Sequence, residues 1–241
     1  MIRAVLFDLD DTLVDHQHAS RAALAGVRTR FAAFAAWSLD ELVAANQRIL
    51  DLLHADVALG RTTADVARVE RYRRLFALAG DGEAKPGAAA ELHRRTYQAM
   101  RRRVAGALEL VAALRARVPI AVVTNNTREE QTEKLATFGF APLIDALVTS
   151  EEVGAAKPDA RMFATALARL GCAPADAVMV GDSWHHDVEG AVAAGLHAVW
   201  LNRNGAAHPD PAVAFAITSL APAAVVAEQV LAADRVRAAA A

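Results

Sequence analysis

Two hydrophobic patterns alternate along the chain. Short continuous apolar runs at 2–7, 120–124, 146–149, 177–180, 197–201 and 215–217 have the length of buried parallel strands, and helical spacing fills most of what lies between them. The first run ends at Asp8 and the fourth at Gly181 and Asp182. From about 16 to 103 the strand pattern stops and only helices are expected. Ser38 with Glu41 predicts a capping box, followed by Leu42, Ile49, Leu50 and Leu53 on one face. Thr62 and Thr63 offer the next N-cap, with Val66, Val69, Tyr72 and Phe76 expected on one face and Gly80 as the stop. A further helix is expected from about 87 to 103.

After Gly106 the alternation resumes. A helix near 107–117 precedes the second strand, Thr127 and Glu130 are expected to box the next helix, and Gly139 to end it. Pro158 is expected to open a helix carrying Met162, Phe163, Ala166 and Leu170, which Gly171 closes. Strands separated by helices predict an α/β fold, a doubly wound parallel sheet whose ligands sit beyond the carboxyl ends of the strands. Residues 1–15 and 105–241 are expected to form this domain, and 16–104 an inserted all-helical one. The alanine-rich tail reads as frayed helix.

Length changes this picture little: 241 residues suit one large domain with an insertion. The hydrophobic fraction of 54% is inflated by alanine, since the aromatic fraction is only 5%, and no uncharged apolar run is long enough to span a bilayer. The first residues lead directly into a strand and lack the apolar core of a secretory signal, which predicts a cytoplasmic protein. A single cysteine, Cys172, agrees with a reducing compartment and reads as a small apolar filler. A net charge of -2 offers no general attraction to nucleic acid or to an anionic membrane. Charge is uneven, however. Arg61, Arg68, Arg71, Arg73 and Arg74 form one cluster and Arg94, Arg95, Arg101, Arg102 and Arg103 another, either a solvated helix face or an electropositive surface for anionic substrates.

Candidate chemistry lies at the strand ends. Asp8 and Asp10 stand one residue apart where the chain leaves the pleat, and a hard divalent cation would relieve their repulsion. Asp8 could then stay ionised as a nucleophile while its neighbour carries a proton. Thr124 and the backbone N–H of Asn125 could bond phosphoryl oxygens, or could simply make a turn. Lys157, held before Pro158, could reach a phosphate. Asp182 occupies the same strand-end setting as Asp8, so the two should converge on one cation. Asp187 is either a helix N-terminal charge or a residue that orients metal-bound water. His185 and His186 are adjacent and lack a completing cysteine, so a solvated loop is the better account. His16 and His18 enter the helical segment and could touch substrate. Trp184 and Trp200 read as packing residues.

Asp-Leu-Asp-Asp-Thr-Leu at 8–13, Val-Val-Thr-Asn at 122–125, Ser-Glu-Glu-Val-Gly-Ala-Ala-Lys-Pro at 150–158 and Gly-Asp-Ser at 181–183 together resemble the four motifs of the haloacid dehalogenase-like hydrolase superfamily, in the branch with a helical cap between the first two. The third segment is similar to nucleotidase-like and N-acylneuraminate-9-phosphatase-like members. The resemblance implies a Rossmann-like core and a magnesium-dependent phosphatase acting on a small phosphorylated metabolite, a nucleoside monophosphate or a sugar phosphate, as a monomer or homodimer. By it, Asp8 is the nucleophile that forms an aspartyl-phosphate, and Asp10 the acid and then the base. Mg2+ would be held by Asp8, the backbone carbonyl of Asp10, Asp182 and, within or just outside the ligand shell, Asp187. Thr124, Asn125 and Lys157 would bind the phosphoryl oxygens. His186 stands where relatives often have asparagine. Dehalogenases of the superfamily usually carry tyrosine at the position of Asp10, and a phosphomutase would share the same acid. A phospho-accepting regulatory domain would be about half this length and place its acceptor after the acidic pair.

Overall fold

The computed structural model describes residues 1–58, 61–81 and 84–234, apart from the side chains of 54, 55 and 58; the alanine-rich tail lies outside them. The chain forms two compact units, one of Met1–Asp15 with Arg103–Ala241 and the other of His16–Arg102. In the first, strands β1 (Ala4–Phe7), β2 (Ile120–Thr124), β3 (Ala146–Thr149), β4 (Ala177–Gly181), β5 (His197–Leu201) and β6 (Phe215–Ile217) make one parallel sheet in the order β3-β2-β1-β4-β5-β6. Helices α1 (His16–Arg30), α2 (Leu39–Ala58), α3 (Ala64–Leu78) and α4 (Pro86–Met100) build the second unit. Helices α5 (Ala107–Arg115), α6 (Arg128–Thr137), α7 (Ser150–Val153), α8 (Ala160–Leu170), α9 (Gly190–Ala193) and α10 (Ala223–Leu231) belong to the first.

Except at the edge strand β6, the sheet is buried on both faces, which is why its strands read as unbroken apolar runs. Alternation at period two sends Val5, Phe7, Val122 and Val180 to one side, where Leu110, Leu114, Val226 and Val230 of α5 and α10 cover them. Ala4, Leu6, Val123 and Met179 face the other side, against Met162, Phe163 and Ala166 of α8. Each fully buried Val, Leu or Phe side chain contributes roughly 1.5–3 kcal/mol. The strand order reverses direction at β1 and β4, and a parallel sheet opens its binding crevice at that switch, past the carboxyl ends.

The helical unit has its own core of Leu24, Val27, Phe34, Leu42, Ile49, Leu53, Tyr72, Leu75 and Phe76. Its capping box forms as expected, Ser38 N donating to Glu41 Oε2 at 2.7 Å and Glu41 N to Ser38 Oγ at 3.2 Å. Thr63 caps α3 by accepting from Val66 N. The buried face of α3 differs from expectation. Val66 and Val69 are exposed, and Ala67, Arg71, Tyr72, Leu75 and Phe76 turn inward, because Phe76 stacks on Phe34 at 4.9 Å and fixes the helix rotation.

Two further expectations fail at helix starts. Thr127 precedes α6 but makes no side-chain cap; Asn126 Oδ1 accepts from Thr127 N, and Glu130 turns to Lys134 at 2.9 Å. Helix α8 begins after Asp159, whose carboxylate caps Arg161 N, two residues beyond Pro158.

Candidate active site

Asp8 is the first residue past β1, and its N–H donates to Val180 O of β4 at 3.0 Å. β1 and β4 run in register, Phe7 opposite Val180, so Asp8 stands level with Gly181 and Asp182 follows one residue beyond on the neighbouring strand. The loop after β1 turns back sharply: Asp11 has φ +66°, a region that aspartate tolerates better than most residues. That turn carries Thr12 to β4, where its hydroxyl accepts from Asp182 N at 3.1 Å and donates to Asp182 Oδ1 at 3.2 Å.

Asp187 lies in a short π-helix, Trp184–Glu189, that Ser183 caps. Its carboxylate is buried and accepts from Ser183 N at 3.0 Å. Carboxylate oxygens of Asp8, Asp182 and Asp187 all lie within 4.8 Å of one another. Gly181 makes room for this, since a Cβ there would overlap the Asp187 carboxylate. Gly181→Ala is therefore expected to push Asp187 out of the cluster and weaken divalent-cation binding by about tenfold or more, read by calorimetric titration.

Lys157 Nζ reaches into the group, 2.6 Å from Asp8 Oδ1 and 2.7 Å from Asp187 Oδ1. Asn125 sets the position of that lysine: its Oδ1 accepts from Lys157 N at 2.7 Å and its Nδ2 donates to Lys157 O at 3.0 Å. The Asn125 side chain is thus committed to backbone, and only its N–H is left for the role expected of it.

Asp10 is directed elsewhere. Its carboxylate takes Lys134 Nζ at 2.7 and 3.0 Å and Gln131 Nε2 at 2.9 Å, and that same amide nitrogen donates to Thr124 Oγ1 at 3.0 Å. Gln131 and Lys134, fully buried on one face of α6, are site residues that the motifs do not contain. Their only sequence signal is the three-residue spacing of two polar side chains, which a solvated helix shares. Thr12 sits inside the first motif but carries no sequence mark of its bond to Asp182. His185 and His186 are exposed and pair with Glu189 and Ser183. Trp184 packs edge-on against Trp200, whose Nε1 donates to Asp182 O at 2.8 Å.

Three acids and one base meet here, Asp8, Asp187 and Lys157 buried and Asp182 partly so, and the electrostatics follow. Burial pushes Asp8 up to about 7 against the pull of Lys157, with Asp187 adding to the rise. Burial, then Asp8 and Asp187, push Asp182 up to about 8. Burial opposes the charge on Lys157, yet Asp187 and Asp8 together hold it above its ordinary value. Both aspartates bind protons more tightly folded than unfolded, so the stability they contribute is complete below pH ~4 and is lost as pH rises through about 7 to 8. The metal-free protein is expected to melt at lower temperature at pH 8 than at pH 5 in chelator, and Asp182→Asn to flatten that slope.

This donor set suits a hard divalent cation: oxygen ligands only, converging, and carrying more negative charge than Lys157 can offset. Asp8, Asp182 and Asp187 are the side chains that could hold it.

A family model described as haloacid dehalogenase-like hydrolase matches residues 2–195. The ribulose-1,5-bisphosphate 5-phosphatase of Halopiger xanaduensis is 34% identical over 83% of this chain and 84% of its own length. Human N-acylneuraminate-9-phosphatase is 28% identical over 85% of this chain and 84% of its own. Two further curated relatives match more locally, over 41% and 37% of their own length. Among solved structures, the HAD-hydrolase YfnB of Bacillus subtilis, determined bound to magnesium, superposes with a TM-score of 0.76 at 24% identity, covering 94% of this chain and 99% of that one. No helix among the described residues is long and apolar enough to cross a membrane. With its strand-end aspartates, its sheet order and a family match over most of its length, the chain belongs to the haloacid dehalogenase-like hydrolases.

Proposed function

We propose that this hydrolase is a magnesium-dependent phosphomonoester phosphatase of the cytoplasm, acting on a small phosphorylated metabolite through a phosphoryl group carried on Asp8. The observation that carries the reading is the convergence of Asp8, Asp182 and Asp187, with buried Lys157 bonded to Asp8 and Asp187. The phosphatase names of the relatives that match along most of the chain support it. The helical unit His16–Arg102 would act as the cap that selects substrate.

A bound magnesium would supply positive charge to the phosphoryl oxygens and to the Asp8 carboxylate. Lys157 would supply the remaining charge, and Thr124 with the Asn125 N–H would orient the phosphoryl group. Asp8 attacks phosphorus and the ester P–O bond breaks, the departing alkoxide taking a proton from Asp10. Asp10, now ionised, removes a proton from water, which attacks phosphorus; the Asp8 P–O bond breaks and inorganic phosphate leaves.

Lys134 Nζ and Gln131 Nε2 both donate to the Asp10 carboxylate, an arrangement that suits the second half of this cycle. Proton donation in the first half requires Asp10 to release Lys134 and take up a proton. The test is phosphate release from 4-nitrophenyl phosphate, expected with magnesium and absent in chelator. Asp10→Asn should lower turnover by about 10²-fold or more. Full activity in chelator would overturn the metal assignment, and full activity of Asp10→Asn the proton-transfer role.

A further inference from the structure

Helix α6 turns a mostly polar face inward. Its buried residues are Gln131, Lys134 and Leu135, so two polar side chains stand where apolar ones would pack without needing partners. Lys134 is accounted for by charge, bonded to both Asp10 and Glu130. Gln131 is not. It is fully buried, and its Oε1 has no hydrogen-bond partner among the described residues. A buried acceptor left without a donor costs stability, so packing alone does not explain this side chain.

The other end of the amide is fully used. Nε2 donates to Asp10 Oδ2 at 2.9 Å and to Thr124 Oγ1 at 3.0 Å, joining the loop after β1 to the end of β2. Asp10 dictates which way the amide faces, because turning it over would set Oε1 against the carboxylate. Thr124 must then accept from Gln131, and an accepting hydroxyl keeps its own hydrogen for another partner. A reversed amide would consume that hydrogen at Oε1. One nitrogen thus fixes Asp10 and leaves the buried Thr124 hydroxyl a donor. A neutral N–H can donate to Asp10 whether or not the carboxyl carries its proton, so this contact can persist when Lys134 lets go.

We infer that Gln131 is a positioning residue, which sets both the proton-transfer group Asp10 and the phosphoryl-binding hydroxyl of Thr124 from a single amide nitrogen. It acts through those two side chains and not on the substrate itself. This rests on the phosphatase reading, and the experiment separates the two.

Wild type, Gln131→Met, Gln131→Leu, Asp10→Asn and the double variant of Asp10→Asn with Gln131→Met are assayed with magnesium on two esters of similar shape. From 4-nitrophenyl phosphate the leaving group departs with little help from an acid; from phenyl phosphate it is the stronger base and needs the proton more. Inhibition by inorganic phosphate and thermal melting are measured alongside. Gln131→Met is expected to lower kcat/KM for phenyl phosphate by about fivefold or more beyond its effect on 4-nitrophenyl phosphate, the mark of a misplaced acid. It should also raise the inhibition constant of inorganic phosphate by about threefold or more, the mark of a misdirected hydroxyl. Gln131→Leu should do the same. With Asp10→Asn already present, Gln131→Met should leave the ratio of the two esters where it was. An unchanged ester ratio in the single variants, unchanged inhibition by phosphate, or a ratio that falls as far again in the double variant overturns the inference and leaves the phosphatase reading intact. Lower melting temperatures in both Gln131 variants with the two esters reduced alike make Gln131 structural and overturn it as well. Turnover of neither ester by wild type overturns the phosphatase reading itself, and the inference with it.

Discussion

Asp8→Asn is expected to lower phosphate release by at least about 10⁴-fold, because an amide of the same shape cannot attack phosphorus. The substitution is close to isosteric and removes one of three clustered like charges, so the fold should survive it. In chelator at pH 8 the variant should melt no lower than wild type, since the burial and repulsion that push Asp8 up to about 7 are gone. Loss of turnover in a folded protein is what separates a chemical role for Asp8 from a structural one. Steady-state rates alongside thermal melting give both readings.

Lys157→Met should have the largest effect on stability. Lys157 is buried and bonds Asp8 and Asp187 at once, and without it no ammonium or guanidinium among the described residues is bonded to any of the three clustered aspartates. Breaking a buried ion pair from one side costs about 3–5 kcal/mol, most of it the penalty on the charge left behind. That penalty depends on pH in a known direction. Removing the cation raises the two carboxyls further, so the variant should recover toward pH 5, where they take up protons, and should be weakest near pH 8. Urea unfolding at both pH values in chelator reads this difference, and divalent cation should narrow it. Turnover should fall by about 10²-fold or more in step, because the same ammonium is assigned to the phosphoryl oxygens.

The sheet was legible because its inner strands are buried on both faces and therefore appear as apolar runs, of which those of β1, β2 and β4 lead into candidate site residues. Five of the six observed strands lie within a residue of the runs read from sequence, and β1 begins at Ala4, inside the first of them. The helical unit was less so. Leu42, Ile49 and Leu53 are buried as their spacing predicts, but α3 turns Arg71 inward and Val66 and Val69 outward. Periodicity marks an apolar face; it cannot foresee that aromatic stacking of Phe76 on Phe34 rotates a charged residue into the interior.

The site shows the same division. Asp8, Asp182, Asp187 and Lys157 announce themselves by position at strand ends and loops, and the sheet brings them together. Gln131 and Lys134 do not, because nothing local tells a buried lysine that holds Asp10 from one that faces water. Asn125 was read as a donor to phosphoryl oxygens, and its side chain holds the Lys157 backbone instead. Contacts between residues far apart in sequence, such as Thr12 with Asp182, come only from the sheet register.

Acid quench of the enzyme during turnover of 4-nitrophenyl phosphate with magnesium, followed by peptide mass spectrometry, tests the chemistry most directly. A phosphoryl group on the peptide containing Asp8, absent from Asp8→Asn and from the chelated enzyme, is the expected result. Continued turnover with the phosphoryl group on another residue, or with Asp8→Asn as active as wild type, would contradict it.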